Sequence, residues 1–467
     1  MPQIIYDIFA YVTGPLLIVV LLGTGIFLTI KMRFVQLRGL AEGIRITAGK
    51  YNDPSHPGDV THFKALCGAL SATVGVGNIA GVAAAIALGG PGAVFWMWVT
   101  AFLGMAIKFT ECTLAQQYRI VHKDGTVSGG PMYYIEKGLG RRFKPLAVVF
   151  AFFTVFACFG IGNMVQSNQV AQVLSATFDV NTWITGVIIA FMTGLVIIGG
   201  VRRIGQVAGV LVPFMSIFYV GGAILILAMN PEHIVPSFVM IFKGAFSGTA
   251  AAGGFLGSAI MMAVRSGVSR GLFSNEAGLG SAPIIHAAAK TKIPVREGLV
   301  ALLEPLTDTI IICTMTALVI ISTGAWTSGL RDAPLTMEAF ERGFFGGGYL
   351  VAFAIVLFAY STAISWSYYG DRAAEYLFGK KIIMPFRIFY CIVLFFGAIA
   401  GSTTAWIATV WAYADIANLL MAFPNLLALW LLSGVVAKSL RTYMKDHKAG
   451  LYETQTPMEE SPIEHFG

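Results

Sequence analysis

Residues 70–81 read Leu-Ser-Ala-Thr-Val-Gly-Val-Gly-Asn-Ile-Ala-Gly, and residues 266–280 read Ser-Gly-Val-Ser-Arg-Gly-Leu-Phe-Ser-Asn-Glu-Ala-Gly-Leu-Gly. Each lies in an apolar stretch, and each holds an N-x-A-G tetrapeptide beginning at Asn78 or Asn275. Glycine interrupts both, and polar side chains stand where a lipid-facing helix carries none. Unsatisfied backbone is intolerable in hydrocarbon, so a helix broken there survives only around a polar cavity or inside protein. At a break, freed N–H groups and a half-helix N-terminus attract an anion such as a carboxylate. Freed carbonyls attract cations. Close helix packing explains isolated glycines such as Gly194 and Gly199. It does not call for Asn, Ser, Thr, Arg and Glu beside them.

The rest of the chain places these two segments in a membrane. Of 467 residues, 56% are hydrophobic and 12% charged, where soluble domains carry roughly a quarter charged. That shortfall excludes an ordinary soluble enzyme, a disordered chain and a nucleic-acid binder. Runs of apolar residues predict about eleven membrane spans, at 6–30, 64–89, 92–120, 144–176, 182–200, 205–229, 247–289, 298–323, 344–370, 382–401 and 404–436. The seventh is too long and too polar for one continuous crossing. The N-terminus lacks the basic region and cleavage site of a signal peptide. The five cysteines have no metal-ligand spacing and read as small buried hydrophobes.

Charge supports the span order. Loops 31–63 and 119–144, the turns after spans five, seven and nine, and the tail after Lys438 are rich in Lys and Arg, whereas the opposite side has only Lys243, Arg331 and Arg342. The net charge of +7 is therefore topological, and the positive-inside rule puts the N-terminus outside and the C-terminus in the cytoplasm. Segment 230–246 reads as interfacial or partly helical, 324–344 as the longest outer loop, and the tail after Lys448 as poorly ordered. Spans two and seven carry the two motifs. Five positions apart, they cross in opposite directions, as an inverted repeat requires. The expected organisation is an extra helix and loop in 1–63, a first five-helix repeat in 64–229, the interfacial segment, a second repeat in 247–436 and a tail in 437–467. Paired interrupted segments in two halves point to a transporter's binding site at the bilayer midplane.

GALSATVGVGNIAGVA at 68–83 and RGLFSNEAGLGSAPIIHAAA at 270–289 resemble the alanine or glycine:cation symporter family, as do GGPGAVFWMW at 89–98 and SYYGDR at 367–372. The resemblance implies sodium-coupled uptake of alanine and glycine on an all-α, LeuT-type membrane fold with one added N-terminal helix, no cofactor, and a monomer as an allowed state. It also implies site roles. Gly75 and Gly77 offer amides to the substrate carboxylate, with Thr73 and Asn78 beside it. Sodium takes the carbonyls of Ser71 and Val74 and the hydroxyls of Ser361, Thr362 and Ser365; hard oxygens suit a small hard cation. Phe273 walls the pocket, Ser274 and Asn275 add polar contacts, and Trp366 keeps the pocket small. Among the amides Gln166, Asn168 and Gln169 of span four, at least one reaches the pocket.

Ionisable residues at membrane depth are functional candidates by default. Lys108 and Glu111 share a helix face and read as a neutralised pair. Glu276 is open to two roles, a ligand for a cation or proton, or a partner for Arg265 or Arg270. Glu304, Asp308 and Asp415 are the acids a proton-coupled alternative requires. His62 and His286 show no clustering, and His286 reads as a helix-end histidine. An ion channel is the alternative from another class, but channels build pores by symmetric assembly, whereas both interrupted helices lie in one chain. No HExxH, GxSxG or P-loop pattern supports an enzyme or an ATP-driven pump.

Overall fold

The computed structural model describes residues 14–123, 125–247, 256–400 and 404–451. The start of the first span, the start of the seventh, the Asp415 side chain and the tail beyond Leu451 lie outside the described residues. The helices in chain order are α1 (Gly14–Lys31), α2 (His62–Thr73), α3 (Val82–Gly89), α4 (Ala93–Tyr118), α5 (Lys144–Phe159), α6 (Val165–Phe178), α7 (Thr182–Ile197), α8 (Gly200–Met229) and α9 (Ile234–Ser247). They continue as α10 (Leu256–Asn275), α11 (Ala282–His286), α12 (Pro294–Ala301), α13 (Thr314–Ser322), α14 (Asp332–Gly343), α15 (Gly347–Phe378), α16 (Ile383–Ile399) and α17 (Thr404–Lys448).

Among the described residues, seven helices are long and apolar enough to cross a membrane, or eight if the bent pair His62–Thr73 and Gly77–Gly89 counts as one span. Two shorter apolar helices, Ile18–Lys31 and Thr182–Ile197, stand beside them. Helix α10 carries Arg265 and Arg270 and is not in that set. Two of the eleven expected spans, the first and the seventh, have stretches near their starts outside the described residues. The outer surface is apolar, with Val210 75% and Ile217 73% exposed on α8, as a lipid-facing helix requires.

Three π-helical segments interrupt the α geometry: Gly77–Gly81 between α2 and α3, Gly160–Met164 between α5 and α6, and Leu306–Cys313 before α13. Segment 230–246 is partly helical, as is the expected outer loop. Segment 230–246 holds a 3₁₀ turn and most of α9, and the outer loop holds α14. Thr336 of α14 donates to the Ile79 carbonyl at 3.0 Å, so this helix lies over the π segment of the first motif.

The basic loops meet at one end of the molecule. Arg119, after α4, donates to the carbonyls of Pro57, Ala287, Ala289 and Thr291. Arg202 pairs with Asp59, Arg387 donates to the Ile198 carbonyl, and the Tyr443 hydroxyl of α17 donates to Glu42. Tyr51 donates to the same Glu42 carboxylate at 2.7 Å. Burial and that neighbouring carboxylate push its phenol up to about 12, so it remains a donor at neutral pH. Four cysteines are buried as expected, while Cys391 is partly exposed.

Candidate functional site

Helix α2 stops at Val74, whose φ of −75° and ψ of 89° leave helical geometry. The chain bends by 55° before the helix resumes at Gly77. Asn78 rebuilds the lost hydrogen bonds. Its Oδ1 accepts the Gly75 amide at 2.8 Å, and its backbone carbonyl accepts from Thr316 at 2.8 Å. The break therefore has no orphaned amide at Gly75: that donor is held by a side chain three residues on. Gly75 must be glycine for space, because a Cβ there would lie 2.7 Å from Thr362 Oγ1.

The second break is built differently. After α10, three residues take left-handed backbone: Glu276 (φ 53°), Gly278 (φ 87°) and Gly280 (φ 81°). Such a φ is costly for a side chain other than glycine, and more so for a non-Asn, non-Asp residue. Glu276 holds it with both carboxylate oxygens engaged. Oε2 accepts from Ser281 at 2.5 Å and Oε1 from the Trp366 indole at 3.0 Å. These partners take the place of the arginine pairing considered for it. Arg270 stacks over the Phe273 ring instead, 6.0 Å from its centroid.

The two breaks meet across Asn78. Its Nδ2 donates to Asp308 Oδ1 at 2.6 Å and to Ser274 Oγ at 3.2 Å. Ser274 and Thr309 each donate to Asp308 Oδ2 at 2.7 Å. All four residues are buried. Asp308 and Thr309 belong to the π-helical segment Leu306–Cys313. Asn275 repeats the Asn78 device, its Oδ1 accepting the Ala277 amide at 3.0 Å.

The other expected site residues are spread around this junction and beyond it. Gly75, Thr362 and Gln166 converge: the position of a Gly75 Cβ lies 3.9 Å from Gln166 Oε1. Gln166 Oε1 and Ser365 Oγ are buried with no hydrogen-bond partner among the described residues. Ser71 and Ser361 hold each other, Ser71 Oγ donating to the Ser361 carbonyl at 2.7 Å and Ser361 Oγ to the Ser71 carbonyl at 3.2 Å. Gly77 faces Phe273, whose ring edge lies 3.2 Å from a Cβ placed there. Trp366 is packed against Gly162, where a Cβ would meet it at 2.1 Å. Thr73 bonds within its own helix, and Val74 is buried at the bend. Asn168 turns toward α16, donating to the Gly397 carbonyl at 3.3 Å.

A second buried polar group lies toward the basic end. His62 Nδ1 meets Glu297 Oε2 in a very short contact. Glu297 Oε1 meets His286 Nδ1 at 2.5 Å, His286 Nε2 meets Glu304 Oε1 at 2.8 Å, and Glu304 Oε2 accepts from Lys108 at 3.0 Å. All five side chains are fully buried. The expectation that the histidines do not cluster is therefore corrected. So is the pairing of Lys108, which takes Glu304 from another helix, while Glu111 accepts from Asn425 at 3.0 Å. A shared helix face permits a pair, but the tertiary partner lies closer. Cys112 Sγ comes within 4.8 Å of ligand atoms of His286 and Glu304, and both ring nitrogens of His286 already face carboxylates.

A family model described as sodium:alanine symporter matches residues 1–457. The sodium/alanine symporter AgcS of Methanococcus maripaludis is 48% identical over 445 residues, 94% of this chain and 96% of that one. The probable sodium/glutamine symporter GlnT of Bacillus subtilis is 40% identical over 439 residues, 93% of this chain and 89% of that one. Among solved structures, MhsT in complex with L-phenylalanine superposes with a TM-score of 0.57 at 13% identity, covering 83% of this chain and 99% of the other. That last likeness is one of fold.

Proposed function

The chain belongs to the sodium:alanine symporter family, and from that membership we propose that it carries alanine and glycine inward with Na⁺ by alternating access, the substrate held where the two broken helices meet. It is a secondary transporter of amino acids and a multi-pass membrane protein, not an enzyme. The meeting of Asn78, Ser274 and Asp308 between two opened helices, with the unpartnered Gln166 oxygen near Gly75, carries this reading.

A zwitterion needs donors at one end and acceptors at the other. The amides of Gly75 and Gly77, with Asn78 and Thr73, serve the carboxylate once Asn78 Oδ1 releases the Gly75 N–H. Asp308 and the Gln166 oxygen, with Ser274 and Asn275, draw the ammonium group. Phe273 and Trp366 wall the space for the substrate side chain and keep it small. One methyl is worth about 1–3 kcal/mol, so such a pocket accepts glycine as well. Ser71 and Val74 carbonyls with Ser361, Thr362 and Ser365 hydroxyls form an all-oxygen set suited to Na⁺. For this the reciprocal Ser71–Ser361 bonds must open. Asn168 has a supporting role at α16. The basic end faces the cytoplasm, with the N-terminus outside.

Labelled alanine uptake into proteoliposomes tests this. An inward sodium gradient should drive accumulation that collapses when sodium is equal on both sides. Uptake indifferent to sodium, lithium and pH gradients overturns sodium-coupled symport.

A further inference from the structure

The line His62–Glu297–His286–Glu304–Lys108 plays no part in holding alanine or Na⁺, yet it is the largest buried ionisable group described. It joins four elements. His62 opens α2, the half of the first broken helix at the basic end. His286 closes α11, the corresponding piece after the second break. Glu297 and Glu304 belong to the span that begins with α12, and Lys108 to α4. The two broken-helix pieces are also joined by backbone: Val60 and Ala289 form a parallel bridge, with Lys290 N donating to the Val60 carbonyl at 2.8 Å. They form one body, and the ionic line fastens that body to α4 and α12. Arg119 and Gln116 hold it too, but through carbonyls, which do not titrate.

Hydrogen counting fixes the protonation of this line. His286 faces a carboxylate at each nitrogen, 2.5 Å and 2.8 Å away. A neutral imidazole between two ionised carboxylates has one N–H and one lone pair, so one contact would set a lone pair against a carboxylate. Each gap needs a hydrogen. Charge counting gives the same answer: Glu297 and Glu304 against Lys108 leave one negative charge, and an uncompensated buried charge is expensive. His62 Nε2 is buried without a partner, which disfavours a second N–H there. The extra proton therefore belongs at His286.

The geometry points to a proton-binding site at His286, in which one proton shared with Glu297 and Glu304 locks the joined inner pieces of both broken helices against α4 and α12, and leaves toward the basic side when that side opens. The consequence for transport rests on the alternating-access reading above; the proton count does not. The step is a bare proton transfer. An N–H bond of His286 breaks, its electron pair stays on the ring nitrogen, and water takes the proton. His62 follows Thr61, which lines a polar cleft of about 170 Å³ with Asp59, Lys64, Arg202 and Gln206, and so marks the exit. The charged and titratable groups around His286 are Lys108, Glu111 and Cys112 from α4 and Arg119 just after it, Glu297 and Glu304 from the next span, His62 from α2, Tyr369 from α15 and Glu276 before α11.

Glu297→Gln is the discriminating variant. Its amide donates to one imidazole and accepts from the other, and Glu304 with Lys108 is neutral, so no extra proton is needed. Alanine exchange is measured in proteoliposomes with equal sodium, alanine and pH on both sides, from pH 7 to 10. Where proton loss limits opening, the wild-type rate should rise by up to about tenfold per pH unit, and Glu297→Gln should be flat. Equal slopes in the two proteins overturn the proposal. A second readout needs no transport. ¹⁵N spectra of ring-labelled histidine in the full chain at pH 8, where ordinary imidazoles are neutral, should show one imidazolium that His286→Gln removes. A wild-type spectrum with neutral rings only overturns the site. An imidazolium in a protein that exchanges no alanine keeps the site and refutes the transport reading instead.

Discussion

The junction around Asn78 and the line through His286 are both fully buried polar networks, but they are made of different material. At the junction, one carboxylate is surrounded by an amide and two hydroxyls, groups that exchange a protein partner for a ligand of similar chemistry at low cost. Along the line, acids alternate with bases, and each charge has its own fixed partner. Under the proposed transport reading, the difference separates a part that binds and lets go from a part that holds. Neutral dipoles suit a site that empties on every cycle. Paired charges suit a fastening that opens only when its charge count changes.

The hardest way to strain that contrast is Lys108→Met. It leaves Glu304 buried without its ammonium, and breaking a buried pair costs about 3–5 kcal/mol. The thermal midpoint of the detergent-solubilised protein should fall sharply, and Glu304→Gln added to it should recover most of the loss. Unchanged stability in the single variant would mean the line fastens nothing.

Asn78→Ala addresses the other network. It removes the acceptor of the Gly75 amide and a donor to Asp308. Stability should drop by about 1–3 kcal/mol for the groups left unpaired, less than for Lys108→Met, while alanine binding measured by calorimetry is lost. Normal binding by this variant would move the site elsewhere. Thr362→Val keeps the shape but removes a hydroxyl beside Gly75. A net hydrogen-bond contribution of about 0.5–1.5 kcal/mol predicts that the sodium concentration for half-maximal uptake rises by roughly tenfold at most, with the melting temperature unchanged. Lys438→Ala, exposed on α17, should alter neither uptake nor melting.

Much of the junction was legible in the sequence, for a physical reason. Glycine beside Asn and Ser at membrane depth has few other uses, so both breaks could be placed from residues alone, and Ser71, Gly75, Gln166, Ser361 and Thr362 do lie together. Asp308 was visible as an acid, but not as the group opposite Asn78, because 230 residues separate them and only packing sets that contact. The same holds for Lys108 and Glu304, 196 residues apart; local helix spacing offered Glu111 instead. His62 and His286 carry no shared local pattern and are united only through Glu297. Asn168 lies two residues from Gln166, a spacing that turns side chains to different helix faces, which explains why one amide lies beside Gly75 and the other at α16. Gly160-Ile-Gly-Asn163 repeats the G-x-G-N of Gly75 to Asn78, and both lie at π segments.

Those π segments have a consequence for how such helices tolerate lesions. A π turn is an α-helix with a residue to spare, so deleting one residue from Leu306–Cys313 restores unbroken α hydrogen bonding at that place. The backbone gains regularity, yet everything before the deletion turns by about 100° relative to everything after it. Glu297 and Glu304 would then swing away from His286 while α13 stays seated beneath Asn78. A frame-preserving deletion of one codon there becomes a phase error between two halves of one helix, leaving each half intact and the two no longer in step.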